Sequence, residues 1–212
     1  MRLPQKELER LGTALVRSIS EDLVRYGVIK TEDKSNEELQ EEIIKYIADL
    51  FRGNRNPVFV WATDYTSTLL REARKFARLE EHELSCLFYA TWFEHWLNGM
   101  INAMGKRKKF TDQEITSIIR DTQFRAKSTW LLHVLGLKPI SDMHLRRMQT
   151  IVDARNSFVH YKWKHVDIDD EQWKKDEQAL AKLINDVEKT VSYLHRLHNQ
   201  QFFAGRKRKL LP

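Results

Sequence analysis

The segment LSCLFYATWFEHWLNGMINAM, residues 84–104, decides the fold class of this 212-residue chain. Its apolar side chains occur on most faces of a helix, which is typical of a helix that is buried on several sides. The chain contains only seven Gly and four Pro, fewer than strand-rich sandwiches or Gly-loop nucleotide folds need for their turns. The chain is therefore predicted to be all-α, with residues 84–104 as its central buried helix.

Amphipathic segments on both sides of the central helix predict an up-and-down helical bundle. Their boundaries are marked by two capping boxes, a helix stop and an N-cap, at Ser35–Glu38, Thr111–Glu114, Gly136–Pro139 and Ser141. The predicted helices cover residues 3–27, 35–52, 64–104 with a bend near 79–81, 111–135 with a break near 122, 142–160 and 171–203.

The clearest interruption of the helical pattern is the segment GNRNP at residues 53–57. It divides the sequence into an N-terminal helical extension at 1–56 and a helical bundle at 57–205. The last residues, 206–212, are rich in Arg and Lys and are predicted to form a basic flexible tail.

Several classes of site and location are disfavoured by the sequence. A single cysteine, Cys86, excludes an intramolecular disulfide and argues against a thiolate zinc site, and its apolar surroundings predict a core residue. Walker, GxGxxG, HExxH and CxxC motifs are absent, so no metal and no cofactor is expected. With no long apolar run and no apolar signal region at the amino terminus, we expect a cytoplasmic protein without a membrane segment.

Positive charge is concentrated in the middle of the chain. Residues 101–165 carry 13 basic and five acidic side chains, a net charge of +8, whereas residues 1–52 carry a net charge of −2. Such a field favours a polyanionic partner, most commonly a nucleic acid, although ordinary solubility remains the alternative. The loop residues Lys106, Arg107, Lys108 and Lys109 are the candidate RNA-backbone contacts, or else a solvated basic loop.

The chemically most informative segment is IVDARNSFVHYKW, residues 151–163. Within the predicted helix, Arg155 interrupts an apolar stripe formed by Leu145, Met148, Val152 and Val159. A buried guanidinium requires an anionic partner, since an isolated buried charge costs several kcal/mol. That partner is either a carboxylate of this chain, for which Glu94 on the central helix is the candidate, or the phosphate of a ligand.

Arg155, Asn156 and His160 together form a pattern that resembles the signature of the HEPN domain (higher eukaryotes and prokaryotes nucleotide-binding). That signature is an Arg, usually followed by a polar residue, and a His after four to six intervening residues. In this chain, as in the family, the motif precedes the last helix of an all-α bundle. The resemblance covers about residues 60–200 and implies a HEPN-type bundle with an N-terminal helical extension.

The resemblance implies a metal-independent endoribonuclease, often a toxin or antiviral defence effector, whose composite site is shared by a homodimer. His160 would move a proton of the ribose 2′-hydroxyl or the leaving oxygen, and Arg155 would hold the scissile phosphate. Asn156 would orient His160 or donate to a phosphate oxygen, and the product would be a 2′,3′-cyclic phosphate. Glu94 either positions a catalytic side chain without contacting the RNA itself or forms a purely structural ion pair.

Two further expectations concern partners and the rival function. In one branch of the family a Tyr two residues after the His receives a nucleotide, but here Tyr161 is one residue after His160. That form of regulation is therefore not expected, whereas another antitoxin or regulatory partner remains possible. The rival interpretation is a HEPN-like module that binds nucleotide, RNA or a partner protein without cleaving RNA.

Overall fold

The computed structural model describes residues 4–52, 64–159 and 170–209. Every regular element in these ranges is helical, which confirms the all-α prediction. The α-helices of the described ranges are α1 (Gln5–Arg25), α2 (Asn36–Arg52), α3 (Thr66–Arg78), α4 (His82–Arg107), α5 (Asp112–Asp121), α6 (Phe124–Ala126), α7 (Leu132–Val134), α8 (Asp142–Val159) and α9 (Asp170–Phe203). A π-helical turn, Lys127–Leu131, joins α6 to α7, and a 3₁₀ turn covers Lys207–Lys209.

Local capping chemistry sets the start of α2 and the end of α7. The Ser35 backbone N–H donates to Glu38 Oε2 at 2.7 Å, and the Glu38 N–H donates to Ser35 Oγ at 3.1 Å. This reciprocal arrangement is the predicted capping box. Gly136 ends α7 with a φ of +80°, while the Leu137 N–H donates to the carbonyl of Leu132 at 2.8 Å. The left-handed glycine and the six-to-one bond form a Schellman stop, so Gly136 ends the helix as predicted.

The long helix predicted over residues 64–104 is two helices, α3 and α4. Between them Glu80 adopts a φ of +61°, a left-handed conformation that no continuing helix contains. The predicted bend near 79–81 is therefore a complete break. A second predicted break, near Thr122, is present between α5 and α6.

The chain divides into two compact units. We call the first the terminal unit, since it consists of Met1–Ala62, Ala103–Thr111 and Arg196–Pro212. The second, the central unit, consists of Thr63–Asn102 and Asp112–His195. The terminal unit thus combines the N-terminal helices with the ends of α4 and α9, a grouping that the sequence division at residue 56 does not contain. That division into an extension and a bundle remains a prediction.

Helix α4 supplies the largest side chains of the core of the central unit, as expected for residues 84–104. Its fully buried members within that unit include Cys86, Tyr89, Trp92, Phe93, Leu97 and Met100. Burial raises the pKa of the Cys86 thiol to about 12, so this cysteine stays protonated. Cys86 is therefore an inert core residue, as predicted.

Three helices of the central unit are joined by hydrogen bonds among Arg74, Tyr89 and Glu188, which we call the polar lock. The Glu188 carboxylate on α9 accepts two hydrogen bonds from Arg74 on α3, at 2.9 and 2.7 Å. It also accepts the Tyr89 hydroxyl of α4 at 2.6 Å. The hydrogen bonds from Arg74, supplemented by the one from Tyr89, lower the pKa of Glu188. Glu188 therefore stays negatively charged at neutral pH and keeps its hydrogen bonds to Arg74 and Tyr89.

In the terminal unit, Arg107 closes the carboxyl end of α1. Its guanidinium donates to the carbonyls of Val24 at 2.8 Å, Arg25 at 2.9 Å and Phe202 at 3.4 Å, and it lies 5.0 Å from the centre of the Phe202 ring. These carbonyls of Val24 and Arg25 are among those that a helix end leaves without intrahelical partners. Gly27, with a φ of +75°, is what lets the Arg107 side chain approach the chain here.

Part of the basic tail is held by the fold. Arg206 donates to the backbone carbonyls of Thr31 and Lys34, and the Lys207 ammonium lies 2.8 Å from a Glu21 carboxylate oxygen. Arg206 and Lys207 of the predicted tail are therefore held by carbonyl and carboxylate partners, and the flexibility expected of the whole tail stays a prediction. Residues 210–212 of that tail lie outside the described residues.

The Gly27 position gives a direct test of this packing. A Cβ at Gly27 would lie 3.0 Å from Arg107 Cγ, and the left-handed backbone there disfavours any L side chain. Gly27→Ala is expected to lower the free energy of unfolding by about 1–2 kcal/mol in urea titrations. Gly12→Ala is the matched control, because Gly12 lies within α1 with open space around it. The control should raise stability by about 0.5–1 kcal/mol, and a neutral Gly27→Ala would contradict the packing described.

Candidate functional site

The half-buried cation that the sequence predicted is Arg155, in the carboxyl-terminal part of α8. Its Nη2 donates to Glu94 Oε1 on α4 at 2.6 Å, within the central unit. The Arg155 side chain is 23% exposed and the Glu94 side chain 37% exposed. The ion pair with Glu94, one of the two partners considered for Arg155, is thus present, and it connects α8 to the central helix.

One donor of Arg155 is unused in the described structure. The Nε atom is buried, yet it has no hydrogen-bond acceptor. A buried donor without an acceptor costs about 1–3 kcal/mol, so such groups are rare in folded proteins. An oxyanion beside this guanidinium would supply the missing acceptor. The ion pair with Glu94 therefore does not exhaust the binding capacity of Arg155.

The apolar stripe of α8 differs from the prediction at its end. Met148 and Val152 are buried as expected, but Val159 is 45% exposed and its neighbour Phe158 is 43% exposed. The buried face of the helix ends at Arg155, where a polar guanidinium replaces an apolar contact. The burial expected for Val159 was therefore wrong, and α8 ends with two exposed apolar side chains next to the candidate site.

The other two motif residues are only partly covered by the structure. Asn156 follows Arg155 directly, about 100° further around α8, and it is half-buried. His160 lies outside the described residues, as does Tyr161. The convergence of Arg155, Asn156 and His160 on one phosphate remains a prediction.

Sequence reasoning missed a second cation near Glu94. Lys127 begins the π-helical turn and is only 8% exposed, and its Nζ donates to Asn98 Oδ1 at 2.9 Å. Burial lowers the pKa of Lys127, while the nearby negative charge of Glu94 acts to raise it. Since residues four apart lie on one face of a helix, Asn98 and Glu94 present adjacent polar groups on α4. We call Glu94, Asn98, Lys127 and Arg155 the Arg155 cluster.

The sequence feature that could have predicted a second cation near Glu94 lies on α4 and not around Lys127. Glu94 and Asn98 are polar residues four apart, each directly after an apolar residue (Phe93 and Leu97), and buried groups of this kind require polar partners. The sequence did not show that Lys127 would be the partner of Asn98, because Lys127 lies in a π-helical turn. Such a turn is a local widening of the helix that shifts the register of the following residues. Turns of this kind occur often at functional sites.

The four basic loop residues are not equivalent. Lys106, Lys108 and Lys109 are exposed at the end of α4 and just after it, whereas Arg107 is half-buried. The Arg107 guanidinium donates to three backbone carbonyls, which gives this residue a structural role, and its predicted contact with RNA stays a prediction. The predicted contact of the three lysines with RNA is untested. The four residues belong to the terminal unit, and the Arg155 cluster to the central unit.

No family model, curated protein or solved structure matches this chain. In the described ranges, no three His, Cys, Asp or Glu side chains are grouped so that they could hold a metal ion. No helix of the same ranges has the length and apolar character needed to cross a membrane. The resemblance to the HEPN domain therefore remains a prediction.

The stability of an Arg155→Met variant separates a ligand-binding role from a structural role. Because the ion pair is partly solvated and Nε has no acceptor, this change should alter the free energy of unfolding by less than about 1 kcal/mol. Ile151→Ala on the same helix removes a fully buried side chain and should cost about 2–5 kcal/mol. Urea titration of both variants is the measurement. A loss above about 3 kcal/mol for Arg155→Met would identify a structural ion pair.

Proposed function

We propose that this protein is a HEPN-type endoribonuclease that cleaves RNA without a metal ion, as a toxin or antiviral defence effector. The observation that carries the proposal is the buried, unused Nε donor of Arg155 beside the carboxylate of Glu94. A guanidinium that retains a donor in a partly dry environment is suited to an oxyanion such as a phosphodiester. The net charge of +8 over residues 101–165 supports a polyanionic substrate.

In the proposed reaction, the ribose 2′-oxygen attacks the neighbouring phosphorus as His160 accepts the 2′-hydroxyl proton. The new P–O2′ bond forms while the P–O5′ bond breaks, and the 5′-oxygen leaves as a hydroxyl after it receives a proton from a water molecule. The products are a 2′,3′-cyclic phosphate and a 5′-hydroxyl end. Arg155 offsets the negative charge that grows on the non-bridging oxygens, and Asn156 orients His160 or donates to one of these oxygens.

The proposed site is completed by a second copy of the chain. Arg155 and His160 are five residues apart, or about 140° around an ideal helix, so one copy does not readily aim both at one phosphate. A homodimer that joins two motifs removes this difficulty. Phe158 and Val159 follow Arg155 by three and four residues and are exposed. Their exposure supports an apolar contact between two copies at the end of α8.

The Arg155–Glu94 ion pair also favours a second candidate function. A guanidinium already held by a carboxylate can stabilise the helix packing of a module that binds nucleotide, RNA or a regulatory partner without cleavage. The two functions differ in one respect that is simple to measure, which is whether RNA is cut.

Cleavage should be tested with the full chain, total tRNA and a mixed mRNA pool, with EDTA present throughout. The wild type is expected to give fragments with 2′,3′-cyclic phosphate ends. His160→Ala should lower the rate by about 10²–10⁴-fold, the contribution of a general acid or base. His133→Ala, which changes an exposed histidine on α7, is the matched control and should cleave like the wild type.

Two results would contradict the proposal. Unchanged cleavage by His160→Ala would remove this histidine from the reaction. Absence of cleavage by the wild type, with the protein folded and able to bind RNA, would favour the non-cleaving module.

A further inference from the structure

The charges of the Arg155 cluster do not cancel. Arg155 and Glu94 form a hydrogen-bonded pair whose charges sum to zero, and a neutral pair has little attraction for a phosphate. Lys127 adds one positive charge, so the cluster has a net charge of +1. The carboxylate of Glu94 would otherwise repel an anion placed beside Arg155, and Lys127 is the cation positioned to offset it.

We propose that Lys127 is a second phosphate-binding cation, which together with Arg155 holds a phosphodiester group of single-stranded RNA across the Glu94 carboxylate. The proposal rests on the proposed function in one respect, since it takes RNA as the source of the phosphate. It goes beyond the motif because Lys127 lies 28 residues before Arg155, on a separate element.

The way Lys127 is held supports a ligand-binding role. Lys127 donates a hydrogen bond to a neutral amide oxygen, Asn98 Oδ1, while the neighbouring Glu94 carboxylate accepts one from Arg155. A buried ammonium is strongly hydrated in water, so burial beside an amide compensates only part of its desolvation. A phosphate beside Lys127 would supply the negatively charged acceptor that the Asn98 amide does not.

The chemistry also indicates the class of ligand. Lys127 acts as a point charge with several donors, and Arg155 provides a planar fork with an unused Nε. Two cations around one carboxylate fit a singly charged phosphodiester, since the filled cluster is then neutral. RNA in single-stranded form can bring its backbone to such a partly buried place without the steric limits of a duplex.

The test uses a ligand that binds but cannot be cut, a fluorescein-labelled single-stranded 2′-O-methyl RNA of mixed sequence. Its affinity for the full chain is measured by fluorescence anisotropy over a range of salt concentrations. Lys127→Met should weaken binding by about tenfold or more, the effect of one charged hydrogen bond. The slope of log affinity against log salt should decrease by about 0.7, the value for one phosphate contact on a single strand. Lys138→Met, which removes an exposed charge of the same unit, is the control and should stay within about twofold of the wild type.

Changes at Glu94 keep the test independent of the folding of Lys127→Met. Glu94→Gln raises the net charge of the cluster and should strengthen binding. The double variant Lys127→Met with Glu94→Gln restores the net charge of +1 and should recover part of the lost affinity. Lys127→Arg, which keeps the charge, should bind more tightly than Lys127→Met.

The outcomes separate this inference from the proposed function. Wild-type cleavage together with unchanged RNA binding by Lys127→Met would overturn the inference and leave the ribonuclease proposal standing. Binding that depends on Lys127 and Glu94, without any cleavage, would support the inference and overturn the ribonuclease proposal. A lower melting temperature of Lys127→Met with unchanged affinity would show that Lys127 serves packing alone, and no RNA binding by the wild type would overturn the inference as well.

Discussion

The ion pair between Arg155 and Glu94 is the interaction on which the candidate site depends. It places a guanidinium at the end of the buried face of α8 and fixes it 2.6 Å from a carboxylate of the central helix. The pair neutralises both charges but leaves the Nε donor of Arg155 without an acceptor. Under the proposed function, this unused donor is the group that binds a phosphate oxygen.

The central helix α4 makes this arrangement possible. Glu94 and Asn98 lie four residues apart on one face of this helix, and both are half-buried, so neighbouring elements can supply hydrogen-bond partners to them. Arg155 of α8 and Lys127 of the π-helical turn supply them. The polar lock of Glu188 with Arg74 and Tyr89 connects α3, α4 and α9 elsewhere in the same unit. Rigid neighbours of this kind position charged side chains more accurately than loops do.

Much of the fold could be predicted from local patterns, because helix boundaries depend on nearby residues. The capping box at Ser35 and the stop at Gly136 are short-range signals, and the structure contains both. The site was less accessible to such reasoning. The pairing of Arg155 with Glu94 was one of two alternatives, since it joins residues 61 positions apart. The role of Lys127 was not predicted, because a π-helical turn has no clear sequence signature. The structural role of Arg107 was not predicted either, because it depends on carbonyls of a helix that is distant in sequence.

The central claim is that Arg155 uses its free donor to bind an RNA phosphate, and the Nε–Hε group of this residue reports on that directly. In ¹⁵N-labelled full-length protein, its NMR signal can be assigned by its disappearance in Arg155→Lys. Addition of the uncleavable 2′-O-methyl RNA should shift this signal strongly, as the buried N–H acquires an acceptor, with smaller changes for arginines of the terminal unit such as Arg107. An Arg155 signal that stays unchanged while RNA saturates the protein would contradict the claim.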